Sequence, residues 1–586
     1  MEDINIMRRA YWSIRLVLVL FSFAIMSGAL GTNRAYAIYD VPSDRRITWS
    51  AGLDSSGGIP NYTSVTCTGL DPSGTIDNTA QIQTCITIAA AGTAVFIPAG
   101  TYRVDGTITM KSNVVLRGAK AAVAPWLPAA DGSATTLNMN GGGIDFNGGE
   151  KWTNWNPAAP NGTSITAGYA QGSSGITVSD ASVYAVGDYI SIYQDQDPTI
   201  VSDFETYLGE DCGACPDRHV LQQYSQITGQ SGNTLTIDPP IYYVTPIPLN
   251  PKIRKQTFGV ISAGLENLRL NGNGTNTRII RFHFALNCWT KGVETYNVGA
   301  DPSGSPHIWT DFSYGNEYRD GYHHHGAGND GGENFGIQFI NWNSRHKIEN
   351  NIVRDTRHAI VFAGGSGNAI LFNYTDDNWE SVPGAPTTPK TDFISEDETP
   401  NHGAHPYMNL WEGNSATSFG ADYVHGSSSH NTLFKNFVRC IRTTMPLTNP
   451  WSWDCVHIEQ YSRYYNFVGN VVGQSSFTTG TVVSNSANSD PLPIMFSFGR
   501  SGYGGVYADT LPFSTAIKHG NYDYITQGVA YWDGGADHTL LNSMYYNAKP
   551  SFFGTCPWPP FGPEGNPTIN TLPAQDRYAG GSSCGP

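Results

Sequence analysis

The sequence predicts an all-β solenoid, in which short strands form coils that stack on one another. A phrase recurs in the second half of the chain with asparagine at one fixed position. That position is occupied by Asn351, Asn373, Asn436 and Asn470. Asn351 and Asn373 are 22 residues apart (373 − 351), which suits one coil of a stacked repeat. The 65 Gly and 35 Pro residues also favour short strands joined by turns over helices.

Each asparagine of this phrase is predicted to form a tight turn between two strands. In the coil of Asn373, strands are predicted over residues 359–362, 369–372 and 374–376. The turn requires a residue that tolerates the left-handed conformation and whose side chain bonds the neighbouring backbone. Because the coils stack, these asparagines should form a ladder of hydrogen bonds. Equivalents of the first strand are predicted at 337–339, 408–411 and 456–459.

Longer intervals between the asparagines predict loops inserted into the coils. Asn436 follows Asn373 by 63 residues (436 − 373), and Asn470 follows Asn436 by 34 (470 − 436). We therefore predict long loops at 377–405 and 414–429, which are rich in Pro, Gly, Asp and Ser. Loops of this length are usually functional, and solenoid insertions tend to lie on the binding face.

The N-terminus has the pattern of a secretory signal peptide over residues 1–37. Arg8 and Arg9 precede an apolar run at 16–26, and Ala35-Tyr-Ala37 offers a cleavage site. A membrane anchor is the alternative, although the apolar run is short for a bilayer span. The sequence thus predicts a secreted protein, extracellular or periplasmic, that begins with an irregular arm at 38–65.

Residues 66–118 predict a helix followed by the first coils. Asp77 can cap a short helix whose apolar positions include Ile82 and Ile86. Residues 94–118 then alternate in the manner of strands. The segment therefore joins a short helix to the start of a sheet.

This segment resembles the N-terminal part of the pectate-lyase-like superfamily, which includes polygalacturonases, rhamnogalacturonases, lyases and uronate epimerases. The resemblance implies a right-handed parallel β-helix over residues 66–586, with three short strands per coil and the helix capping its open end. It also implies that the substrate is a polysaccharide. It is specific for the fold and does not select one reaction.

Residues from about 173 to 243 interrupt the solenoid pattern. Strands are predicted there at 175–178, 186–192 and 233–238. We expect a β-rich insertion beside the first coils that walls one end of a groove.

The charge of the mature chain excludes one class of partner. Removal of residues 1–37 subtracts a net +2 from the −16 of the full sequence, which leaves −18. Such a surface repels polyanions, so no nucleic-acid partner is expected. Once the signal peptide is removed, no membrane partner is expected either. We expect a monomer that binds a neutral or weakly anionic glycan.

The nine cysteines of an exported chain favour disulfides. Pairing of neighbours predicts Cys67–Cys85, Cys212–Cys215, Cys440–Cys455 and Cys556–Cys584, with Cys288 left as a buried thiol. Cys212 and Cys215 could instead form half of a zinc site, although no second pair has comparable spacing.

Candidate site residues lie on the outer face of the first strands, because side chains of a strand alternate between inward and outward. Glu412 ends the predicted strand of Trp411, and the predicted strands place five candidates on one face: Gln338, Asn409, Trp411, His457 and Glu459. Together with Val361 they form a predicted groove floor. An aromatic ring beside carboxylates suits a sugar, whereas the alternative is an outer face without a function.

Histidines and arginines also precede predicted first strands. His358 and His405 both do so, and relatives with this fold place their site beside this sheet. They could transfer protons or bind hydroxyl groups, with Arg357 beside them. The alternative is that the histidines stabilise turns.

Asp376 and Asp377 end a predicted third strand. Paired carboxylates could serve as the acid and base of a glycosidase. The signatures that accompany such a pair in polygalacturonases are absent here. The alternative is that Asp376 pairs with Arg354 and Arg439, which occupy the same position in their own phrases.

Two histidine-rich segments, 323–330 and 402–405, resemble sets of metal ligands. Their glycine-rich context is typical of loops, and no metal site is predicted. No cofactor is predicted either, except that a lyase could use Ca²⁺ to neutralise the carboxylate of its substrate.

Taken together, these observations predict a secreted polysaccharide-degrading enzyme. Glycoside hydrolysis is the first hypothesis, and a lyase or uronate epimerase is the second. A non-catalytic adhesin or surface scaffold is the third. The predicted catalytic residues are Glu412, Glu459, Asp376, Asp377, His457 and His405. The predicted substrate-binding residues are Gln338, Arg357, His358, Trp379, Asn409 and Trp411.

Overall fold

The computed structural model describes most of the chain in two units. It covers residues 39–120, 133–147, 162–202, 220–242, 249–301, 304–329, 332–380, 397–441, 454–485, 493–501, 508–532, 538–581 and 584. The first unit comprises Met1–Asp40 and Ala536–Leu541, and the second comprises Val41–Gly535 and Asn542–Pro586. Within the first unit, Tyr39 forms a parallel bridge with Leu540. The predicted signal peptide lies outside the described residues, and the elements below belong to the second unit.

The second unit begins with a short 3-10 helix, Asp54–Ser56, and the first solenoid coils. Their elements are β1 (Thr63–Thr66), β2 (Ser73–Asp77), α1 (Thr79–Ile88), β3 (Thr93–Ile97), β4 (Gly100–Val104), β5 (Ile108–Thr109), β6 (Val114–Gly118), β7 (Thr135–Met139) and β8 (Ile144–Phe146). Helix α1 buries Ile82 and Ile86 against the core, as predicted. The Asp77 carboxylate accepts the Thr79 backbone N–H at 2.9 Å. Strand β1 pairs with β3, so the solenoid begins inside the predicted arm.

The insertion is a closed antiparallel barrel of six strands. They are β9 (Thr163–Ala167), β10 (Gly175–Val178), β11 (Tyr189–Tyr193), β12 (Gln222–Ser231), β13 (Thr234–Asp238) and β14 (Lys252–Gln256). The barrel has its own apolar core, which includes Ile176, Ile190 and Leu235. It extends beyond the predicted 173–243 because β9 and β14 pair with each other to close it.

After the barrel the chain returns to the solenoid. Its strands are β15 (Val260–Ile261), β16 (Gly264–Glu266), β17 (Arg269–Asn271), β18 (Ile280–His283), β19 (Ala285–Leu286), β20 (Trp289–Lys291), β21 (Glu294–Val298), β22 (Pro306–Asp311), β23 (Glu317–Arg319), β24 (Tyr322–Gly326), β25 (Phe335–Ile340), β26 (Lys347–Glu349), β27 (Ile352–Arg354), β28 (Ile360–Ala363), β29 (Ala369–Leu371), β30 (Tyr374–Asp376), β31 (Glu398–Asn401), β32 (Leu410–Glu412), β33 (Ser415–Ala416), β34 (Phe419–Ala421) and β35 (Ser428–Ser429).

The last coils and the C-terminal segment complete the unit. Their elements are β36 (Thr432–Phe434), β37 (Phe437–Val438), β38 (Asp454–Ile458), β39 (Ser462–Arg463), β40 (Asn466–Val468), β41 (Val471–Val472), β42 (Thr481–Ser484), β43 (Ile494–Phe498), α2 (Leu511–Thr515), β44 (Ile517–Asp523), β45 (Gly528–Tyr531), a 3-10 helix at Ser551–Phe553, β46 (Phe561–Gly562), β47 (Thr568–Ile569) and α3 (Pro573–Tyr578).

The solenoid consists of two large parallel sheets. Eleven strands, in the order β42-β43-β38-β34-β31-β28-β25-β22-β18-β8-β5, form what we call the groove sheet. Twenty-four further strands form the long sheet. One coil contributes β28 to the groove sheet and then β29 and β30 to the long sheet. This arrangement confirms the predicted fold: an all-β parallel β-helix with three short strands per coil, an N-terminal helix and a β-rich insertion.

Apolar side chains of successive coils stack inside the solenoid. The rings of Phe339 and Phe362 are 4.4 Å apart and nearly parallel. Trp411 is fully buried and meets Phe362 edge-on at 5.6 Å. The prediction that Trp411 faces outward is therefore wrong.

The predicted ladder of asparagines is confirmed. It runs through Asn351, Asn373, Asn414, Asn436, Asn470 and Asn521. Each amide oxygen accepts the backbone N–H of the preceding member at 2.9–3.1 Å. The left-handed residue of each turn is not the asparagine but the residue before it, as in Phe372 (φ 55°) and Lys435 (φ 48°). Asn414 marks a coil that the prediction had assigned to a loop at 414–429.

A second ladder runs through Asn368, Asn409 and Asn431. Asn409 accepts the N–H of Asn368 at 3.0 Å, and its own N–H bonds Asn431 at 3.1 Å. Asn409 is therefore a structural residue of a turn, and its predicted place on the groove floor is wrong. Buried backbone groups need partners of this kind because water cannot reach them.

Disulfides tie three pairs of neighbouring segments. Cys67–Cys85, Cys440–Cys455 and Cys556–Cys584 are bonded, and Cys288 is a buried free thiol, as predicted. Cys212 and Cys215 lie outside the described residues. Disulfides are typical of exported proteins. Within the described ranges, the structure contains no helix with the length and apolar character needed to span a bilayer.

Candidate functional site

The outer face of the groove sheet carries one row of the predicted residues. Trp309, Gln338, Val361 and Thr399 are successive partners in this row. His457 lies farther along the same sheet, opposite Gly420. Gln338, Val361 and His457 are only 4%, 0% and 3% exposed. The row is thus covered along this stretch and does not form the open floor that was expected.

Glu412 lies on a different sheet from His457 and Glu459. Its strand, β32, pairs with β29 and β36 in the long sheet. The Glu412 carboxyl accepts hydrogen bonds from the Ser543 hydroxyl and from the Met544 N–H at 2.9 Å. Burial raises the pKa of Glu412 to about 7. The expectation that 408–411 and 456–459 are equivalent strands is therefore wrong, because the groove-sheet strand of that coil is β31.

Asp376 and Asp377 are held in ion pairs. Arg439 donates to Asp376 at 3.0 Å, and the Tyr374 hydroxyl donates to the same carboxylate at 2.9 Å. Arg354 bonds Asp377. These contacts agree with the structural alternative for this pair. Asp376 lies on β30 of the long sheet, whereas His457 lies on β38 of the groove sheet.

His405 is buried in a turn after β31, not before a first strand as predicted. Its ring nitrogens contact the Ser427 and Ser429 hydroxyls at 2.7 and 2.9 Å. Burial lowers the pKa of His405 to about 3, so the ring is neutral. The structure therefore gives His405 the role of a turn-stabilising residue.

Three predicted residues lie at the leading edge of the groove sheet, where strands begin. His358 precedes β28, and its Nδ1 is 3.1 Å from the Thr399 hydroxyl. Arg357 forms an ion pair with Glu380 at 3.0 Å. Trp379, which is half-buried, bonds the Thr356 carbonyl through its backbone N–H at 2.9 Å. Arg357, His358 and Trp379 are thus neighbours on adjacent coils.

The trailing edge of the same sheet stacks three polar residues, His402, Asp422 and Glu459. Backbone bonds connect these positions on successive coils: the Asp422 N–H bonds Asn401 at 3.2 Å, and the Glu459 N–H bonds Ala421 at 2.9 Å. His402 Nδ1 is 2.5 Å from an oxygen of Asp422. The Glu459 carboxylate accepts the Tyr423 N–H at 3.0 Å.

Side chains from the two edges approach each other over the sheet. We call this group the histidine cluster: Arg357, His358, His402, Asp422 and His425. The His402 ring is 5.7 Å from that of His358 and 4.8 Å from that of His425. Burial lowers the pKa of His425 to about 4; the neighbouring His402 and Arg357 also lower it, whereas Asp422 raises it. His425 is therefore a neutral base at ordinary pH.

A strained turn positions His402. The next three residues, Gly403, Ala404 and His405, have φ angles of 118°, 46° and 49°. Positive φ is unfavourable for residues with a side chain, and such strain concentrates at functional sites. The sequence prediction had interpreted His402 only as part of a metal-like pattern with His405. Asp422 and His425 had no signal of their own, because their importance arises only when coils stack.

A second polar group lies on the same face, at the earlier strands β8, β18 and β22. His283 Nδ1 is 2.7 Å from Asp311, and Arg281 is 3.9 Å from the same carboxylate. Burial raises the pKa of Asp145, which pairs with Arg281 in register. Across the described ranges, no three or more His, Cys, Asp and Glu side chains are arranged to hold a metal ion.

Comparison with known proteins finds a family that is similar to the N-terminal part of the solenoid. Residues 62–186 match the profile of a family described as rhamnogalacturonase A/epimerase, pectate lyase-like. The matched region includes residues 66–118, whose resemblance predicted this superfamily, and the coils described above show a parallel β-helix. No curated protein sequence matches the chain.

Several solved structures are similar at low sequence identity. The Gp54 tailspike of Acinetobacter baumannii bacteriophage AP22, solved with A. baumannii capsular saccharide, is 14% identical, with 74% of this chain and 63% of that chain covered and a TM-score of 0.43. This chain thus spans less than two thirds of that tailspike. The tailspike gp61 of Pseudomonas phage phi297 is 12% identical, with 79% of this chain and 70% of that chain covered and a TM-score of 0.48. The A-module of the Azotobacter vinelandii mannuronan C-5 epimerase AlgE6 is 13% identical, with 79% of this chain and 93% of that chain covered and a TM-score of 0.36.

Proposed function

We propose that the protein is a secreted enzyme that cleaves a polysaccharide by acid–base catalysis at the histidine cluster, and that the reaction is glycoside hydrolysis. The observation that carries the proposal is the His402–Asp422 pair with Glu459 on the next coil. Hydrolysis of a glycosidic bond requires a group that donates a proton and a group that activates water or attacks the sugar. The family match supports a polysaccharide as the substrate.

The roles follow from the contacts. Because Asp422 holds Nδ1 of His402, Nε2 is the ring atom that can exchange a proton with the substrate. Glu459 supplies a second carboxylate on the coil next to that of Asp422, with neighbouring strands about 4.8 Å apart, and lies two coils from His402. Arg357, His358 and Trp379 lie at the opposite edge and would bind hydroxyl groups and a sugar face. Glu412, Asp376, Asp377 and His405 have no part in this proposal, because other groups engage them elsewhere.

A second candidate reaction is β-elimination or epimerisation of a uronate. Arg357 and the neutral His425 favour it. Such a reaction needs a cation to neutralise the carboxylate of the substrate and a base to remove the neighbouring proton. Arg357 would supply the charge and His425 the base. Glu380 offsets the charge of Arg357, which is why hydrolysis remains the first proposal.

The reaction is tested with the purified protein and a panel of neutral and acidic polysaccharides. New reducing ends without ultraviolet absorbance by unsaturated uronates are expected from hydrolysis. Reducing ends together with that absorbance would favour elimination instead. Binding without cleavage would overturn both reactions and favour the adhesin hypothesis.

His402→Gln and Asp422→Asn should lower kcat by about 10²–10⁴-fold, the usual contribution of a general acid or base. The same changes at two exposed positions, His538→Gln and Asp195→Asn, serve as matched controls and should leave kcat unchanged. Full activity in both cluster variants would show that this site is not the catalytic one.

A further inference from the structure

Trp379 is connected to the long sheet by a continuous chain of polar contacts. Its indole N–H donates to Asp355 at 2.9 Å. The other oxygen of Asp355 is 3.1 Å from Nε2 of His325. His325 Nδ1 is 2.8 Å from Nδ1 of His324, and Nε2 of His324 is 3.1 Å from Glu294. The chain therefore contains two imidazole rings between two carboxylates.

The number of N–H groups that these contacts require determines the charge of the two histidines. Three contacts involve imidazole nitrogens: His324 with Glu294, His324 with His325, and His325 with Asp355. Each contact needs one N–H, because a carboxylate oxygen and an unprotonated ring nitrogen can only accept. Two neutral histidines carry two N–H groups in total. With Glu294, which lies beside Arg269, and Asp355 both ionised, all three hydrogen bonds can thus form only when one of the two rings is an imidazolium.

The environment selects His325 as the charged ring. His324 is 2% exposed, and burial lowers its pKa well below the ordinary value. The side chain of His325 is 51% exposed, so water and the Asp355 carboxylate can both stabilise its charge. An imidazolium at His325 donates to Asp355 from Nε2 and to His324 from Nδ1. His324 then donates its single N–H to Glu294.

The other charged and titratable groups around His325 leave this assignment unchanged. His307 is buried, and burial lowers its pKa to about 3, so it is neutral. The Tyr296 ring lies 5.6 Å from the His325 ring. Arg269 pairs with Glu294 at 3.2 Å, and Arg354 pairs with Asp377. Arg269 therefore shares Glu294 with His324, and Asp377 neutralises Arg354.

We propose that protonated His325 is a positioning residue that holds Asp355 and, through it, the indole of Trp379 at the leading edge of the groove sheet. Loss of the proton removes one of the three hydrogen bonds and frees Asp355 to move. Trp379 is then held less firmly. The consequence for sugar binding rests on the proposed function, because it assumes that Trp379 is the platform for a sugar ring.

The effect of His325 on the environment of the Trp379 indole can be measured without any substrate. The fluorescence of wild-type protein minus that of Trp379→Phe gives the signal of this one indole. We expect this signal to titrate in one step between about pH 5 and pH 8, the range in which histidines change charge. The step should be lost in His325→Gln and in Asp355→Asn, and kept in the control His538→Gln. A signal that is flat in wild type, or a step that persists in His325→Gln, would overturn the proposal.

A second measurement tests the consequence for binding, using whichever polysaccharide of the panel is cleaved. The KM of wild type should rise over the same pH range in which the fluorescence changes. In Asp355→Asn, KM should be high throughout while kcat changes little, because the platform binds a sugar ring and exchanges no proton with the substrate. If no polysaccharide is cleaved, the proposed function fails, but the fluorescence test still decides the role of His325. An unchanged KM together with a normal fluorescence step would overturn the role of Trp379 as a sugar platform.

Discussion

Burial and local partners decide the charge of individual acidic residues in this solenoid. Asp376 is fully buried, and the positive charges of Arg439 and Arg354 beside it compensate the negative charge of its carboxylate. Glu398 occupies the register position of the core residues Ile360 and Phe419, and burial raises its pKa well above the ordinary value. A carboxyl group without a cationic partner in such a place is neutral. Residue type alone therefore does not indicate which acids can act as charged catalysts.

Glu412 should make the stability of the protein pH-dependent. Its pKa is about 7 in the fold and 4.5 as a free side chain, so the native state binds the proton more tightly. Glu412 thus stabilises the fold fully below pH 4.5. This contribution, about 3 kcal/mol, is lost as the pH rises to 7. The wild-type minus Glu412→Gln difference in the free energy of unfolding should fall across this range.

The same variant separates a structural role of Glu412 from a catalytic one. Glu412→Gln should cleave polysaccharide at the wild-type rate, because its carboxyl is bonded to the 543–545 segment and not to the histidine cluster. Asp195→Asn, at an exposed position, is the control for removal of one negative charge. A large loss of kcat in folded Glu412→Gln would refute this assignment.

At the scale of the element, the repeating unit is a turn of two residues, not a single asparagine. The first residue takes the left-handed conformation, and the asparagine that follows bonds the coils on both sides. Asn414 accepts from the N–H of Asn373, and its amide donates to the Ile370 carbonyl at 2.9 Å. Because the turn is buried, the ladder satisfies backbone groups that water cannot reach.

Replacing Asn414 with alanine should therefore destabilise the solenoid. The change leaves the Asn373 N–H without its partner and removes the hydrogen bond to the Ile370 carbonyl. At about 1–3 kcal/mol for each buried unpaired group, we expect a loss of several kcal/mol in the free energy of unfolding. Asn61→Ala, at an exposed asparagine, is the matched control and should change stability by less than about 0.5 kcal/mol. Equal denaturation midpoints for the two variants would mean that the ladder does not stabilise the fold.

The sequence could predict the ladder and the coils because each repeat carries its own local signal. The phrase from Asn409 to Asn414 follows the same pattern, but Ser415 and Ala416 after it are small. Residues 408–411 were therefore taken for a first strand, and the rest of this coil was assigned to the loop at 414–429. Its groove-sheet strand, Glu398-Thr-Pro-Asn401, has no apolar alternation and could not be recognised as a strand. Apolar periodicity identifies a strand only where the core face is filled by apolar side chains.

The candidate site was harder to predict than the fold. His358 was found because it precedes a strand with a clear pattern. His402 and Asp422 lie 20 residues apart in sequence and meet only because a turn of unusual φ angles follows β31. Contacts between coils depend on the exact coil length, and one missed coil displaces every later pair. The predicted row therefore combined residues of two different sheets.

At the scale of the whole molecule, the two ends of the second unit meet on the outside of the long sheet. The Tyr545 hydroxyl is 2.7 Å from the Ala51 carbonyl and 2.9 Å from the Asp54 carboxylate. Asp54 in turn accepts from Lys347 of β26 at 2.8 Å. The N-terminal arm and the C-terminal segment thus cover a buried lysine of the solenoid together. Solenoids expose their coils along their whole length, and such coverage satisfies charges that would otherwise need water.

Tyr545→Phe tests whether this junction stabilises the whole unit. The change removes one hydroxyl that donates to a buried carbonyl or to a carboxylate, and its ring can stay in place. We expect a loss of about 1.5–3 kcal/mol in the free energy of unfolding, the range for hydrogen bonds to charged groups. Limited proteolysis should also cut the C-terminal segment sooner, because local opening becomes easier. Tyr524→Phe is the matched control at a half-buried tyrosine that packs edge-on against Tyr522. If both variants lose stability equally, the hydroxyl of Tyr545 does not hold the ends together, and the packing of the C-terminal segment on Phe372 would have to do so instead.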